Sequence, residues 1–454
     1  MMSFRIEKDS MGKVKVAEDA LYAAQTQRAL DNFKISDLKM PLAFIDSILD
    51  IKLIAAETNH ELGLLAKNKL QAITKAIKKI RKDQLVNHHH FPLDIFQTGS
   101  GTSTNMNVNE VVAHLASNSK LKVHPNDDVN MGQSSNDVIP TAIAVSSTKS
   151  LVHELIPALL TLKSTIENKA QLHKKVIKTG RTHLMDAMPL SLQQEMSGWA
   201  HQIQISVEAC QKIVPTVAQL AQGGTAIGTG INSSAKFRTL FAQKLKSHSG
   251  LPFSKTKNTF ASIAGQDASV ALSGVLNTLA TALMKISNDL RWMNSGPVSG
   301  LGEIKLKAIQ PGSSIMPGKV NPVIPEAVAM AAAQIMGNNT TITIGAQSGN
   351  FQLNVMLPVI AYNLLQSLHL ATTSAEHLAR TITHFEVNQE YLESQLSKNA
   401  ILATALAPEI GYEKASEIVY KARKEERSIL EVAVELTSLS QKELEKILDP
   451  MKLT

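Results

Sequence analysis

The residues that could do chemistry cluster in one stretch, IQPGSSIMPGKVNPVIPE, Ile309 to Glu326. It holds the hydroxyls of Ser313 and Ser314, the cation of Lys319, the amide of Asn321 two residues on, and Glu326. A second candidate is the histidine of RTHL, His183, next to Thr182. Hydroxyls, amides, one cation and one histidine suit recognition of small carboxylates, with the cation facing the charge and neutral donors setting orientation. This inventory fits proton transfer better than group transfer. CxxC, HExxH, a glycine-rich loop between strand and helix, and an aromatic platform are all missing, so metal, redox and nucleotide chemistry are unsupported. Consecutive His88, His89 and His90 point in different directions on a regular backbone and read as a solvated loop, with no metal site expected.

These residues sit in breaks between long helical patterns. Leu151, Leu155, Leu159, Leu162 and Ile166 form one stripe; Leu276, Leu279, Leu283, Ile286 and Leu290 form another; Leu364, Leu368, Ala371, Ala375, Leu378 and Ile382 form a third. Spacings of three and four build bundle helices that pack at small angles, and core packing is the purpose of these stripes. Leu190 to Gln222 and Pro325 to Gly337 complete about five bundle helices, and Pro157 is expected to kink the first. Aromatics are only 4% of 454 residues, so Ala, Leu, Ile, Val and 16 Met must fill the interior, as in helix-on-helix packing. The expected fold is all-α, in three parts: an N-terminal helical domain at 1–133, a central long-helix bundle at 134–386, and a small helical domain at 387–454.

A formal charge of +7, from 46 basic and 39 acidic residues, is spread without a basic block. That distribution argues against a nucleic-acid partner. No run reaches the length of a membrane span, and MMSFRIEKDSMGKVKV lacks the apolar core of a secretory signal. The single Cys210 excludes an internal disulfide and fits a reducing, cytoplasmic setting.

Five blocks carry a resemblance. GSSIMPGKVNP resembles the signature of the fumarase and aspartase superfamily, and TGSGTSTNMNVNEV, HPNDDVNMGQSSND, TGRTHLMDAMPLSLQQE and GGTAIGTGINS resemble its other blocks in the same order. MGKVKVAEDALYAAQTQRAL is similar to the family's opening and GYEKASEIV to the closing domain of fumarases, so the likeness covers nearly the whole chain. Within the superfamily, His183 matches fumarases, where aspartases show a glutamine, and QSSND and MPGKVNP also look like fumarase. Argininosuccinate and adenylosuccinate lyases usually carry an arginine where Val320 stands. Departures from the fumarase pattern are Ala17, Ala24, Met185 and Gln193, where Pro, Gly, Gln and Gly are usual.

The resemblance implies a three-domain helical subunit, a metal-free homotetramer with a twenty-helix core, and reversible hydration of fumarate to malate in the tricarboxylic acid cycle, with no cofactor. It implies Ser313 as the base, His183 acting through water on the leaving hydroxyl, and Glu326 orienting His183. Substrate contacts are implied at Ser100, Gly101, Thr102, Ser134, Ser135, Asn136, Thr182, Ser314, Lys319, Val320 and Asn321. A second carboxylate site is implied at His124, Pro125, Asn126 and Asp127, where the residues also suit a capped turn. The alternatives are an aspartate ammonia-lyase and a catalytically idle scaffold, as lens crystallins are to argininosuccinate lyases.

Overall fold

The structure, a computed structural model, describes residues 3–454. It is all-α in character: seventeen α-helices among the described residues, with only short two-stranded ladders beside them. A hairpin opens the described residues, β1 (Phe4–Asp9) and β2 (Gly12–Ala17), its side chains largely alternating between exposed and partly buried, with Val16 fully buried. The helical pattern of the sequence gave no sign of it. Four helices follow: α1 (Ala24–Asn32), α2 (Leu42–Glu61), α3 (Lys67–Lys82) and α4 (Thr102–Ala116).

Next come α5 (Ser135–Ser150) and α6 (Ile156–Leu172), joined by a π-helical turn, Leu151–Leu155. Pro157 has no N–H to donate and its ring crowds the preceding turn, and the widened turn lies just ahead of it. The strands β3 (Ile177–Thr182) and β4 (Met185–Ser191) form a second hairpin. The helices α7 (Leu192–Val217), α8 (Phe237–Ser249), the short α9 (Thr259–Ala264), α10 (Asp267–Met293), α11 (Val323–Gln347) and α12 (Leu357–His384) follow. Five short helices end the chain: α13 (Gln389–Leu396), α14 (Ala407–Ile410), α15 (Tyr412–Glu425), α16 (Ile429–Leu436) and α17 (Gln441–Ile447).

Every residue of the three apolar stripes is buried. The helix expected to end at Gly337 instead runs ten residues further, to Gln347. Asparagine usually favours turns because its side chain competes for nearby backbone. Here buried Asn338 is bonded sideways, its Nδ2 donating to the Asn363 carbonyl at 3.3 Å, Gln366 Oε1 at 2.9 Å and Ser367 Oγ at 3.0 Å on α12, so the helix continues.

The chain divides into two compact units. One contains the chain up to Pro157 with Glu208–Ala280 and Ala333–Thr372; the other contains Ala158–Val207, Thr281–Ala332 and Thr373–Thr454. All the divisions fall inside α6, α7, α10, α11 and α12, so each long helix contributes residues to both. In the first unit α2 is buried almost all round, its polar Asp50, Lys52 and Asn59 included, and packs against α3, α5 and α8 as a central helix must. In the second, Trp199 is fully buried and its indole donates to Asp289 at 2.9 Å. The closing helices have their own core of Leu406, Ile418, Val432 and Leu444.

Candidate active site

In the first unit three polar breaks meet at the N-terminus of α5. Ser134 caps the helix, its side chain and that of Asp137 forming a reciprocal capping box. The other oxygen of Asp137 accepts the backbone N–H groups of Gly223 at 2.8 Å and Thr225 at 2.9 Å, and Asn136 Nδ2 donates to the Ala226 carbonyl at 2.8 Å. This ties GGTAIGTG to QSSND. Asp137 is fully buried, and burial raises its pKa to about 6 against the pull of these donors.

The TGSGTS break arrives through two glycines. A side chain at Gly99 would overlap the Val355 carbonyl, and Gly101, left-handed at φ +73°, lies against Ile139 of α5. Ser100 Oγ and Thr102 Oγ1 stand 2.8 Å apart at the start of α4. Ser100, Gly101, Thr102, Ser134, Ser135 and Asn136 thus surround two helix N-termini, whose free N–H groups and positive dipole ends suit carboxylates.

The second unit holds the other candidates. Asn321 Nδ2 donates to the Gly312 carbonyl at 2.7 Å, closing the loop that carries Ser313. Ser313 Oγ accepts the backbone N–H groups of Ile315 at 3.2 Å and Met316 at 3.1 Å. Ser313 shares a hollow of about 370 Å³ with Lys319 and Val320. A larger cavity of about 910 Å³ is lined by Lys319, Val320, Asn321, Glu326, Arg291, Lys305 and their neighbours. Ser314 is exposed beside Ser313 and lines neither space.

Thr182 and His183 lie elsewhere in this unit, exposed at the tip of the β3–β4 hairpin, and line neither space. His183 (φ 55°) and Leu184 (φ 61°) are the two turn residues between paired Thr182 and Met185. Such a turn favours Asn-Gly, so holding His-Leu there stores strain. Buried ion pairs support its base: Lys178 bonds Glu195 and Glu303, and Arg181 bonds the other oxygen of Glu303. Asp137, Lys178 and Glu303 were not among the residues expected from the sequence, because each finds its partners far away in the chain. Met185 is exposed beside the turn.

His124, Pro125, Asn126 and Asp127 adopt a capped turn: His124 Nδ1 accepts the Asp127 N–H at 3.1 Å and leads into a π-helical turn, Pro125–Val129. Behind it, Asp128 pairs with Lys69 at 2.7 Å. The histidine loop is less solvated than expected. His90 is buried and its carbonyl accepts from Asn107, while exposed His89 lies 3.2 Å from Asp19.

Comparison with known proteins shows the family of the chain. The family model described as lyase matches residues 12–337, and that of the fumarase C C-terminus matches 402–454. A class II fumarate hydratase of Pseudomonas aeruginosa is 52% identical over 457 residues, covering 100% of this chain and 99% of the relative. One from Xylella fastidiosa is 52% identical, covering 99% and 95%. The crystal structure of a class II fumarase from Schistosoma mansoni superposes with a TM-score of 0.93 at 40% identity, covering 99% of both chains. The chain belongs to the class II fumarase family of lyases.

Proposed function

We propose that this chain is a fumarate hydratase of class II, interconverting fumarate and (S)-malate. The observation that carries the chemistry is the setting of Ser313. A free serine is a poor base, but two backbone N–H groups directed at Oγ stabilise the oxygen when its proton leaves, and Lys319 lines the same hollow. In the dehydration direction Ser313, acting as the alkoxide that those N–H groups stabilise, takes a proton from the malate carbon next to a carboxylate and becomes the neutral hydroxyl. The electron pair moves into that carboxylate, giving a dianionic aci-carboxylate held by Lys319 and Asn321. The pair then returns to form the double bond as the hydroxyl leaves, protonated through water by His183. Glu326 orients His183. Ser100, Gly101, Thr102, Ser134, Ser135, Asn136, Thr182, Ser314 and Val320 complete the substrate contacts.

The finer parts of this proposal are a homotetramer with three subunits supplying each site, work in the tricarboxylic acid cycle, and a cytoplasmic setting. Support for the tetramer comes from α11, an apolar helix that leaves Met330 68% and Ile344 51% exposed. A second copy of the chain is its proposed cover, and light scattering alongside activity tests this: a fully active monomer defeats it. His124 to Asp127 form the proposed second carboxylate site. Limited proteolysis near 133 and 386 tests the three-part division.

An ultraviolet assay for the fumarate double bond tests the reaction. Malate is expected to give fumarate and aspartate is not, since His183 stands where aspartases carry glutamine. Faster turnover of aspartate would overturn it. Activity is expected to survive dialysis against a chelator; a loss restored by a divalent ion would defeat metal independence.

A further inference from the structure

Beneath the Ser134–Asn136 cradle lies a lysine that the mechanism does not use. Lys52, on α2, is fully buried, and among the described residues its hydrogen-bond partners are amide oxygens and no carboxylate. Its Nζ donates to Asn130 Oδ1 at 2.7 Å and to Gln133 Oε1 at 3.2 Å. Asn130 Oδ1 also accepts from Asn105 Nδ2 at 3.3 Å, and Asn105 Nδ2 donates to Ser135 Oγ at 2.9 Å.

The direction of this chain follows from its first member. Lysine presents hydrogens to both amide oxygens, so Asn130 must turn its oxygen toward Nζ. Its own Nδ2 is then directed away, donating to the Gln133 carbonyl at 3.2 Å. Asn105 must meet that oxygen with N–H rather than with its own carbonyl, and its buried Oδ1 is left without a partner. The remaining Asn105 hydrogen falls on Ser135 Oγ, which is thereby an acceptor on its inner side. The Ser135 hydroxyl hydrogen has to point elsewhere. Burial pulls Lys52 down to about 7, with Asp137 as the opposing charge, yet the neutral amine still has two hydrogens for its two acceptors. The polarity holds in either protonation state.

We propose that Lys52 is a positioning residue that acts through Asn130 and Asn105 to hold the Ser135 hydroxyl as a donor toward a substrate carboxylate. This rests on Ser135 binding substrate, as proposed above. A buried unpartnered Asn105 oxygen is a cost to the fold, and a fixed donor at Ser135 is the function it serves.

The test compares wild type, Lys52→Met, Ser135→Ala and the double variant by calorimetric binding of succinate, an unreactive dicarboxylate, and by malate kinetics. Lys52→Met is expected to weaken succinate binding and raise the malate KM by about ten- to a hundredfold, the size of a hydrogen bond to a charged group. Its kcat should stay within about threefold and its unfolding midpoint should not fall, because a buried amine has been removed. In the Ser135→Ala background, adding Lys52→Met should change neither constant further. Wild-type affinity in Lys52→Met, or additive losses in the double variant, would overturn the relay. Should Lys52→Met fail to fold, Asn105→Asp replaces it: its carboxylate only accepts, takes the Ser135 hydrogen, and should weaken succinate binding similarly, while unchanged binding overturns the relay. A wild type that bound succinate but made no fumarate would defeat the hydratase proposal alone, leaving the succinate comparison to decide the relay.

Discussion

Asn321 and Gly312 are joined by a 2.7 Å hydrogen bond from side-chain amide to backbone carbonyl, which fastens the two ends of the serine loop together. The join is tight because a Cβ on Gly312 would stand 2.1 Å from the Lys319 carbonyl oxygen. Gly312→Ala must therefore open the loop and displace both Ser313 and Lys319. Misplacing reacting groups by about 1 Å costs about a hundredfold in rate. We expect kcat to fall by about that factor in a protein whose circular dichroism and melting are unchanged, since the loop lies outside the core. Wild-type kcat in Gly312→Ala would show that closure does not set the geometry.

Ser313→Ala separates the base from the binding groups. The loop is outside the apolar stripes, so the truncation opens no core cavity. The interaction of Ser313 grows as the proton leaves carbon, so its loss should fall on kcat, by about a thousandfold or more, with little change in KM. Lys319→Ala should harm both constants, because in the proposed mechanism the cation faces the carboxylate before and during reaction. If folded Ser313→Ala keeps most of its turnover number, another group is the base.

The stripes and the family-like blocks were legible in the sequence because each lies within a short window. Leu276 to Leu290 declares its period locally, and GSSIMPGKVNP is one continuous loop. What could not be read depends on partners far apart in the chain. Lys52 sits in an apolar run and looks misplaced until α2 meets Asn130, and Glu303 reads as a loop charge until it meets Lys178 and Arg181. The hairpin at His183 was hidden for another reason. Its turn uses His and Leu where short-range signals call for Asn and Gly, so tertiary support, not local preference, makes it.

Lys52 and Asp137 together predict how stability depends on pH. Asp137 rises from 3.8 to about 6, so its contribution is full below pH 4 and is lost as pH rises through 6. Lys52 falls from 10.5 to about 7, so its contribution is present above pH 10 and is lost as pH falls through 7. Both groups are thus least favourable near neutrality. Urea unfolding from pH 5 to 9 should show Lys52→Met gaining most over wild type at pH 7 and below, with the gain shrinking toward pH 9. A gain that grew with pH would contradict the burial of a lysine held near neutral.

Glu303 is the keystone of the hairpin that presents His183, since one carboxylate answers both Lys178 and Arg181. Its side chain and that of Lys178 are almost wholly excluded from water. Glu303→Gln keeps the shape but removes the charge, leaving Lys178 with Glu195 alone and Arg181 with a neutral partner. Breaking a buried pair from one side costs about 3 kcal/mol, which denaturant unfolding should register. Among the described residues no other ion pair supports the positive-φ turn at His183 and Leu184, so it should relax and move the imidazole away from its proposed position. We therefore expect kcat to fall together with stability in Glu303→Gln. Under conditions where the variant is fully folded, the loss of kcat should persist while the malate KM changes little. A folded variant with wild-type kcat would show that the ion pairs hold the fold without positioning the histidine.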